Sequence, residues 1–441
     1  MAASSPSIRT REQRTWAIAY AFALLLPVLL MLVSPYTEQA WTVFAVAVGF
    51  TAFAGMALQV VLVSRSPVVA RTIGLDVLVR LHRSMGMVLV VMVTLHVAVI
   101  FVVSPWARIW LWPIHQPLVA QAGTAAFYSM LLIGVTSVWR ARFGMGYETW
   151  RLVHVILTAV AVLGGYIHVL YASDFSWSGP LRILATLLLL AATASLVYLR
   201  VGRAFGTLDS PWLVADVRDE HGGSVTLTLD ATRRGVDVRP GQFAWLRFAG
   251  RPYSLVEHPF SIASAAGRDR RRISFTIRSL GSTSHAVREL RPGATVLLDG
   301  PHGGVADELL VRPWILIVGG IGITPAMGLL RSLAEAADRR PVQLVYCVRD
   351  WEQATFRDEL VELGQQLDLH LVVVATRPDS SWTGVRGRLD GRTLARVLPA
   401  DRASRSVLVC GPDGFATDVL GWLDAVGVPL AHVHAERFTS V

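Results

Sequence analysis

Lysine is absent from this chain of 441 residues, so all 41 basic residues are arginine, and only two cysteines occur, Cys347 and Cys410. Two thiols exclude a disulfide scaffold, a four-thiolate iron–sulfur cluster and a zinc ribbon. Charge of either sign is scarce: 17% of residues are charged against 53% hydrophobic, and the mean hydropathy is +0.48. That balance excludes a single ordinary soluble domain. Acidic residues are the scarcest of all in the first 200 positions, where Glu12, Glu38, Asp76, Glu148 and Asp174 stand against 13 arginines, while the rest of the chain holds 28 arginines and 27 acids. The net charge of +9 therefore sits almost wholly on the apolar half. This speaks against nucleic acid as a partner and for a lipid surface.

What is present in that half is six long apolar stretches, at about 16–33, 41–63, 84–103, 123–139, 152–171 and 183–199. At about 1.5 Å per residue each crosses or nearly crosses a hydrocarbon core of about 30 Å. Trp16, Trp41, Trp106, Trp110, Trp112, Trp139, Trp150 and Trp177 fall near their ends, where indole rings favour the interface. The first stretch follows Arg9, Arg11 and Arg14 and has further spans behind it, so it reads as a retained span rather than a cleaved signal. The N-terminus, the connections 64–83 and 140–151 and the exit at Arg200 carry eleven of the 13 arginines; the opposite loops hold Arg108 and Arg182. The positive-inside rule then makes both termini cytoplasmic in a multi-pass protein of the plasma membrane.

Four histidines lie in these spans. His82 and His96 belong to the third and His154 and His168 to the fifth, each pair separated by 14 residues. On an α-helix 14 residues advance about 21 Å and turn about 1400°, within about 40° of four full turns, so each pair shares one helix face. The third and fifth spans run in the same direction, which sets His82 against His154 at the inner side and His96 against His168 at the outer side. Two stacked bis-imidazole sites result. Imidazole is a common haem-iron ligand, and buried ionisable groups in membranes usually carry function. A metal-transport path would instead gather its ligands at one depth. His115, in an outer loop, has no partner at this spacing and reads as structural.

Past Gly206 the pattern alternates with period two, and 214–217, 224–229, 242–248, 259–263, 272–278 and 295–298 read as strands of a small antiparallel β-barrel. From Trp314 strands at 314–318, 342–348, 369–375, 406–410 and 432–438 alternate with helices at 325–337, 355–366, 391–397 and 413–425, the rhythm of a doubly wound α/β domain. Its first turn, Gly319-Gly320-Ile321-Gly322-Ile323-Thr324-Pro325, lets backbone approach a pyrophosphate, with Pro325 suited to the first helical position. Arg349, after the second strand, and Arg388 are candidate partners of a 2'-phosphate, which favours NADPH, with NADH as the alternative.

Residues His258 to Ser264 resemble the flavin strand of the ferric reductase and NADPH oxidase superfamily, itself related to ferredoxin–NADP reductases. Arg278 to Thr283 resembles its FAD-pyrophosphate segment, and Gly300-Pro301-His302-Gly303 the loop joining the two domains. Gly320 to Pro325, Cys410-Gly411-Pro412 and the two histidine pairs complete the set, over about residue 80 to the C-terminus. The resemblance implies that Phe260 and Ser261 lie along the isoalloxazine, that His258 and Arg278 contact FAD phosphates or ribityl, and that Gly281, Ser282 and Thr283 offer backbone donors to the pyrophosphate. It implies that Cys410 lies near the nicotinamide and the flavin, and that Phe438 covers the flavin, although Thr439-Ser440-Val441 follows it. Arg251-Pro252-Tyr253-Ser254 fits the corresponding motif of soluble reductases and competes for the flavin with Pro259 and its neighbours, which continue as a strand.

The organisation expected is thus a cytoplasmic N-terminus at 1–15, a six-helix haem-binding membrane bundle at 16–203, a cytoplasmic antiparallel β-barrel FAD domain at 207–308 and a doubly wound NAD(P)H domain at 312–441. Its expected activity is NADPH oxidation, with electrons passing through FAD and two b-type haems to an extracytoplasmic acceptor, dioxygen giving superoxide or a ferric chelate. No protein partner is required. An electron-donating module for a periplasmic reductase and a non-redox, His-lined transporter are the alternative readings.

Overall fold

The computed structural model describes residues 6–32, 39–64, 75–172, 179–198, 207, 210–248, 258–265, 270–278, 287–305 and 307–438. The chain divides into two compact units, Ala2–Ala204 and Phe205–Val441.

Among the described residues the first unit is a bundle of six long helices, α1 Pro6–Leu32, α2 Ala40–Leu62, α3 Leu75–Val103, α4 Leu118–Trp139, α5 Tyr147–Tyr171 and α6 Gly179–Val197. All six are long and apolar enough to cross a membrane. In hydrocarbon only a helix satisfies every backbone group within its own segment, which is why these stretches take no other form. The third helix starts at Leu75, well before residue 84, so that His82 lies two turns inside it. α2 is the most deeply buried helix, and its buried residues include Ala45, Ala52, Ala54, Gly55 and Ala57. Small residues let helix backbones approach, and in a membrane close packing takes over the role that water exclusion plays elsewhere. A Cβ on Gly55 would fall 2.4 Å from Leu89 of α3, and one on Gly164 of α5 would fall 2.7 Å from the Ala122 carbonyl of α4. The core joins Phe50, Phe53, Met56 and Val60 of α2 to Leu89 of α3, Met130 of α4 and Val162 of α5.

The second unit holds two six-stranded sheets. In the first, β1 Trp212–Glu220, β2 Ser224–Ala231, β3 Gln242–Arg247, β4 His258–Ser261, β5 Arg272–Arg278 and β6 Thr295–Gly303 pair antiparallel in the order β4-β3-β6-β1-β2-β5. The expected antiparallel sheet is present; among the described residues no ladder closes it into a barrel, and its edge strands meet at the Ile262 to Phe275 bridge. Pro259 explains part of this, since proline has no N–H to offer a second neighbour and is confined to edges.

The second sheet comprises β7 Trp314–Gly319, β8 Val342–Val348, β9 Leu369–Ala375, β10 Val385–Arg386, β11 Ser406–Pro412 and β12 Val433–Phe438, all parallel, in the order β10-β9-β8-β7-β11-β12. Helices α7 Ile323–Glu335, α8 Arg357–Gln366, α9 Gly391–Val397 and α10 Asp413–Ala425 connect its strands. β7 and β11 are buried along Trp314 to Val318 and Ser406 to Gly411, as a parallel sheet covered on both faces requires. Asp390 caps α9, its carboxylate accepting the Thr393 N–H at 2.7 Å. Strand order reverses between β7 and β11, the place where doubly wound sheets open a crevice at the carboxyl ends of their strands. The two sheets are tied by Arg331 of α7, which donates to the Ala263 carbonyl at 2.6 Å while forking onto Glu359 of α8 at 2.6 Å on both oxygens.

Candidate functional site

The four membrane histidines form two pairs, each linking α3 to α5. The rings of His82 and His154 lie 6.1 Å apart, centre to centre, at 67°, and those of His96 and His168 lie 6.3 Å apart at 79°. Two imidazoles on one metal ion, with N–metal bonds of about 2 Å and about 1 Å more from each nitrogen to its ring centre, put the ring centres about 6 Å apart. Both pairs therefore have the spacing that a single ion between two rings needs. Among the described residues no group of three or more His, Cys, Asp or Glu that could hold a metal ion is found, so each site offers two imidazoles.

The His96–His168 pair is seated in backbone. His96 Nδ1 donates to the Ala45 carbonyl of α2 at 2.8 Å, and His168 Nδ1 donates to the Val119 carbonyl of α4 at 3.0 Å. A carbonyl only accepts, so each Nδ1 carries the hydrogen and each Nε2 keeps its lone pair. Four residues beyond each carbonyl stands a glycine that makes the seat. A Cβ on Gly49 would be 2.7 Å from His96 Nδ1, and one on Gly123 would be 2.5 Å from His168 Nδ1. Sequence reading singled out neither glycine; the sign was there in two glycines four residues past a carbonyl on the helices preceding α3 and α5. His82 and His154 differ, for their Nδ1 atoms are buried with no hydrogen-bond partner among the described residues.

In the second unit the switch between β7 and β11 gathers the expected motifs. Gly320 has φ +56°, and a Cβ on Gly322 would lie 2.3 Å from the Cys410 carbonyl, so the glycine turn is pressed against the Cys410-Gly411-Pro412 turn. α7 begins at Ile323, two residues before Pro325, which therefore sits in the first turn but not at its first position. Arg278 Nη1 is 3.5 Å from where a Gly320 side chain would start, and Thr324 Oγ1 donates to the Thr276 carbonyl at 3.5 Å. The end of β5 is thereby brought to the mouth of the parallel sheet.

Sequence reading missed the residue at the centre of this cluster, Glu436 of β12. Ser261 Oγ donates to its Oε2 at 3.4 Å, Cys410 Sγ lies 3.9 Å from the same oxygen, and His434 Nε2 is 3.5 Å from Oε1. Cys410 is fully buried, and burial together with the Glu436 carboxylate raises its thiol pKa well above the usual range. Cys347 of β8 is pushed up to about 12 by burial. Both sulfurs are neutral thiols at physiological pH. His258 and Phe260 share one face of β4, their rings 6.3 Å apart, while Ser261 is buried on the other. His302 of β6 is bonded to Asp299 at 3.2 Å.

Arg349 and Arg388 do come together. With Thr376, Arg377 and Gly387 they line a cavity of about 600 Å³ at the carboxyl ends of β8 and β9 and the end of β10. Arg377 is the addition, and its place in the chain, two residues past β9 where Arg349 directly follows β8, could have found it. Gly281, Ser282, Thr283 and the Arg251 to Ser254 motif lie outside the described residues, as does the Phe438 side chain; the Phe438 backbone pairs with Pro412.

Two family models match the chain. Residues 48–165 match the ferric reductase like transmembrane component, a range that includes His82, His96 and His154, and residues 316–420 match the oxidoreductase NAD-binding domain. The chain is 31% identical to ferredoxin–NADP reductase B of Sorangium cellulosum over 42% of its own length and 80% of the relative's. It is 30% identical to a flavohemoprotein of Deinococcus radiodurans over 41% of its length, and spans only 46% of that relative. Among solved structures, the flavohem-like FAD/NAD binding domain of a nitric oxide dioxygenase from Vibrio cholerae is 24% identical, covers 52% of this chain and 98% of its own, and has a TM-score of 0.46. An integral, multi-pass helical unit with a ferric reductase signature thus precedes a nucleotide-binding oxidoreductase unit, and the chain belongs to the ferric reductase-like membrane oxidoreductases with a ferredoxin–NADP reductase-type C-terminal half.

Proposed function

We propose that the chain is a transmembrane NAD(P)H oxidoreductase of the plasma membrane, moving electrons from cytoplasmic NADPH through FAD and two b-type haems to an extracytoplasmic acceptor, dioxygen or ferric iron. The observation that carries this reading is the seating of His96 and His168, whose Nδ1–H groups are spent on carbonyls, whose Nε2 atoms are left free to ligate and whose rings stand 6.3 Å apart, so that the two imidazoles would hold one haem iron between them. When bound, flavin supplies the conversion of a hydride donor into single electrons, and haem iron supplies one-electron carriers. The chain contains no Cys-x-x-Cys-His, so attachment is by the histidines alone. Six spans return the chain to the side it started from, and the arginine-rich connections support a cytoplasmic location for that side.

In the C-terminal unit Arg349, Arg377 and Arg388 offer three guanidinium groups to the 2'-phosphate of NADPH, and Gly320 and Gly322 let backbone near the pyrophosphate. Glu436, between the Ser261 hydroxyl and the His434 imidazole, holds Ser261 Oγ by accepting its hydrogen bond and sets a carboxylate beside His434 Nε2. Arg377→Gln or Arg388→Gln should raise KM for NADPH about ten- to a hundredfold and leave NADH nearly unchanged, the loss of one charge-assisted phosphate contact. Equal effects on both nucleotides would show that these arginines serve the fold.

The decisive experiment uses sealed vesicles of known orientation, with NADPH and FAD on the cytoplasmic side and cytochrome c, which cannot cross, on the other. Reduction suppressed by external superoxide dismutase identifies dioxygen as acceptor. Reduction that persists without oxygen and is competed by ferric citrate identifies ferric iron. If neither draws electrons faster than flavin alone does, the transmembrane path is wrong and a partner-dependent electron donor replaces it.

A further inference from the structure

At one end of the bundle three buried nitrogens are left without partners among the described residues: His82 Nδ1, His154 Nδ1 and Trp150 Nε1. They are strung along one line of contacts. The Trp150 ring is 5.2 Å from that of His154, and the Arg140 guanidinium carbon lies 5.9 Å from the Trp150 ring centre and 5.7 Å from that of Tyr147. Arg140 makes no ion pair among the described residues, although Glu148 is in the first turn of α5 close by in sequence. Buried N–H groups without acceptors are costly, at about 1–3 kcal/mol each, and a cation held only over aromatic faces still lacks its counter-ion. The indole N–H can only donate, and no acceptor meets it among the described residues. The first turn of α5, beginning at Tyr147, adds the positive end of a helix dipole.

We propose that Arg140, the Trp150 indole N–H and the first turn of α5 form an anion subsite that takes a carboxylate, and that this carboxylate is a propionate of the tetrapyrrole bound by His82 and His154. The proposal rests on the haem reading above. Trp150 is one helical turn before His154, on the ligand's own helix face, its ring beside that of His154. At the other pair, His96 and His168 are satisfied by carbonyls within the bundle.

The test removes haem from the full-length protein in detergent and titrates it with haem or with haem dimethyl ester, whose propionates carry no charge. Soret absorbance counts the haem bound, and electron paramagnetic resonance separates the two low-spin sites. Wild type should bind haem at the His82–His154 site about ten- to a hundredfold tighter than the ester, the scale of one charge-assisted contact. Trp150→Phe and Arg140→Gln should each lose most of that preference, bind the ester as wild type does, and keep the His96–His168 haem, which also reports that they have folded. Variants that weaken haem and ester equally would overturn the proposal in favour of a packing role. A preference that survives both substitutions would overturn it as well. If the variants differ from wild type only in vesicles containing phosphatidylglycerol, with the haem-to-ester preference intact, the anion is a lipid phosphate and the propionate assignment falls. A wild-type protein that takes up no haem refutes the underlying reading instead.

Discussion

His96 and His168 donate to carbonyls of the neighbouring helices beside a glycine, whereas His82 and His154, 14 residues earlier on the same helices, have unpartnered Nδ1 atoms. The difference follows from what the facing helices carry. Consecutive spans run antiparallel, so 14 residues back along α3 corresponds to 14 residues forward along α2, from Ala45 and Gly49 to Gln59 and Val63. The same step along α4 leads from Val119 and Gly123 to Ile133 and Ser137. Where the upper seat has two glycines, the same step leads to Val63, just past the end of α2, and to Ser137, exposed on α4, so the glycine seat is not repeated at the lower level. Gln59, at that lower level, is itself buried with both amide atoms unpartnered among the described residues. One pair is therefore fixed in tautomer and orientation by the apoprotein, and the other depends on what binds it.

The largest effect that tests this contrast is loss of a site. His96→Ala or His168→Ala should lower the haem count from two per chain to one, with the His82–His154 haem retained. Loss of both haems together in a folded protein would break the pairing. A smaller effect is expected from the glycines. Gly49→Ala or Gly123→Ala places a methyl carbon 2.7 or 2.5 Å from an imidazole nitrogen, so ring or helix must move. Overpacking of this kind costs about 1–3 kcal/mol, which should weaken haem binding at the His96–His168 site about ten- to a hundredfold. Val63→Gly and Ser137→Gly should leave that site unchanged. If all four substitutions act alike on both haems, the seat is not local and the contrast between the two levels is lost.

Much of this was legible before any coordinates. The strands 342–348 and 369–375 and the helices 391–397 and 413–425 have the bounds that apolar runs, Gly-Pro punctuation and the Asp390 cap indicate, because a parallel sheet buried on both faces writes itself as uninterrupted hydrophobic segments. The histidine pairs were legible because helix periodicity is exact enough over 14 residues to fix a shared face. Glu436 was not, since Cys410, 26 residues away in sequence, is brought alongside it only by the strand order β10-β9-β8-β7-β11-β12. Gly49 and Gly123 were illegible for another reason: a glycine in an apolar helix is ordinarily a packing residue, and only the distance to a ring on the next helix distinguishes these two.

The smallest effect concerns electronic tuning. A ligating imidazole that donates its second N–H to a carbonyl is a stronger base toward the metal, which favours the ferric state and lowers the midpoint potential of its haem. A hydrogen bond worth about 1 kcal/mol corresponds to a shift on the order of 40 mV for one electron, at 59 mV per 1.4 kcal/mol. Gly49→Ala, titrated at saturating haem so that both sites stay filled, pushes the His96 ring off the Ala45 carbonyl and should raise the midpoint of that haem by about this amount. The His82–His154 haem, whose imidazoles make no such bond, should not move. Spectroelectrochemistry on the variant resolves the two waves. A rise shared equally by both haems would point to a general opening of the bundle, and no rise at all, with the His96 ring shown by nuclear magnetic resonance to have lost its carbonyl, would mean that the backbone seat positions the ligand without tuning it.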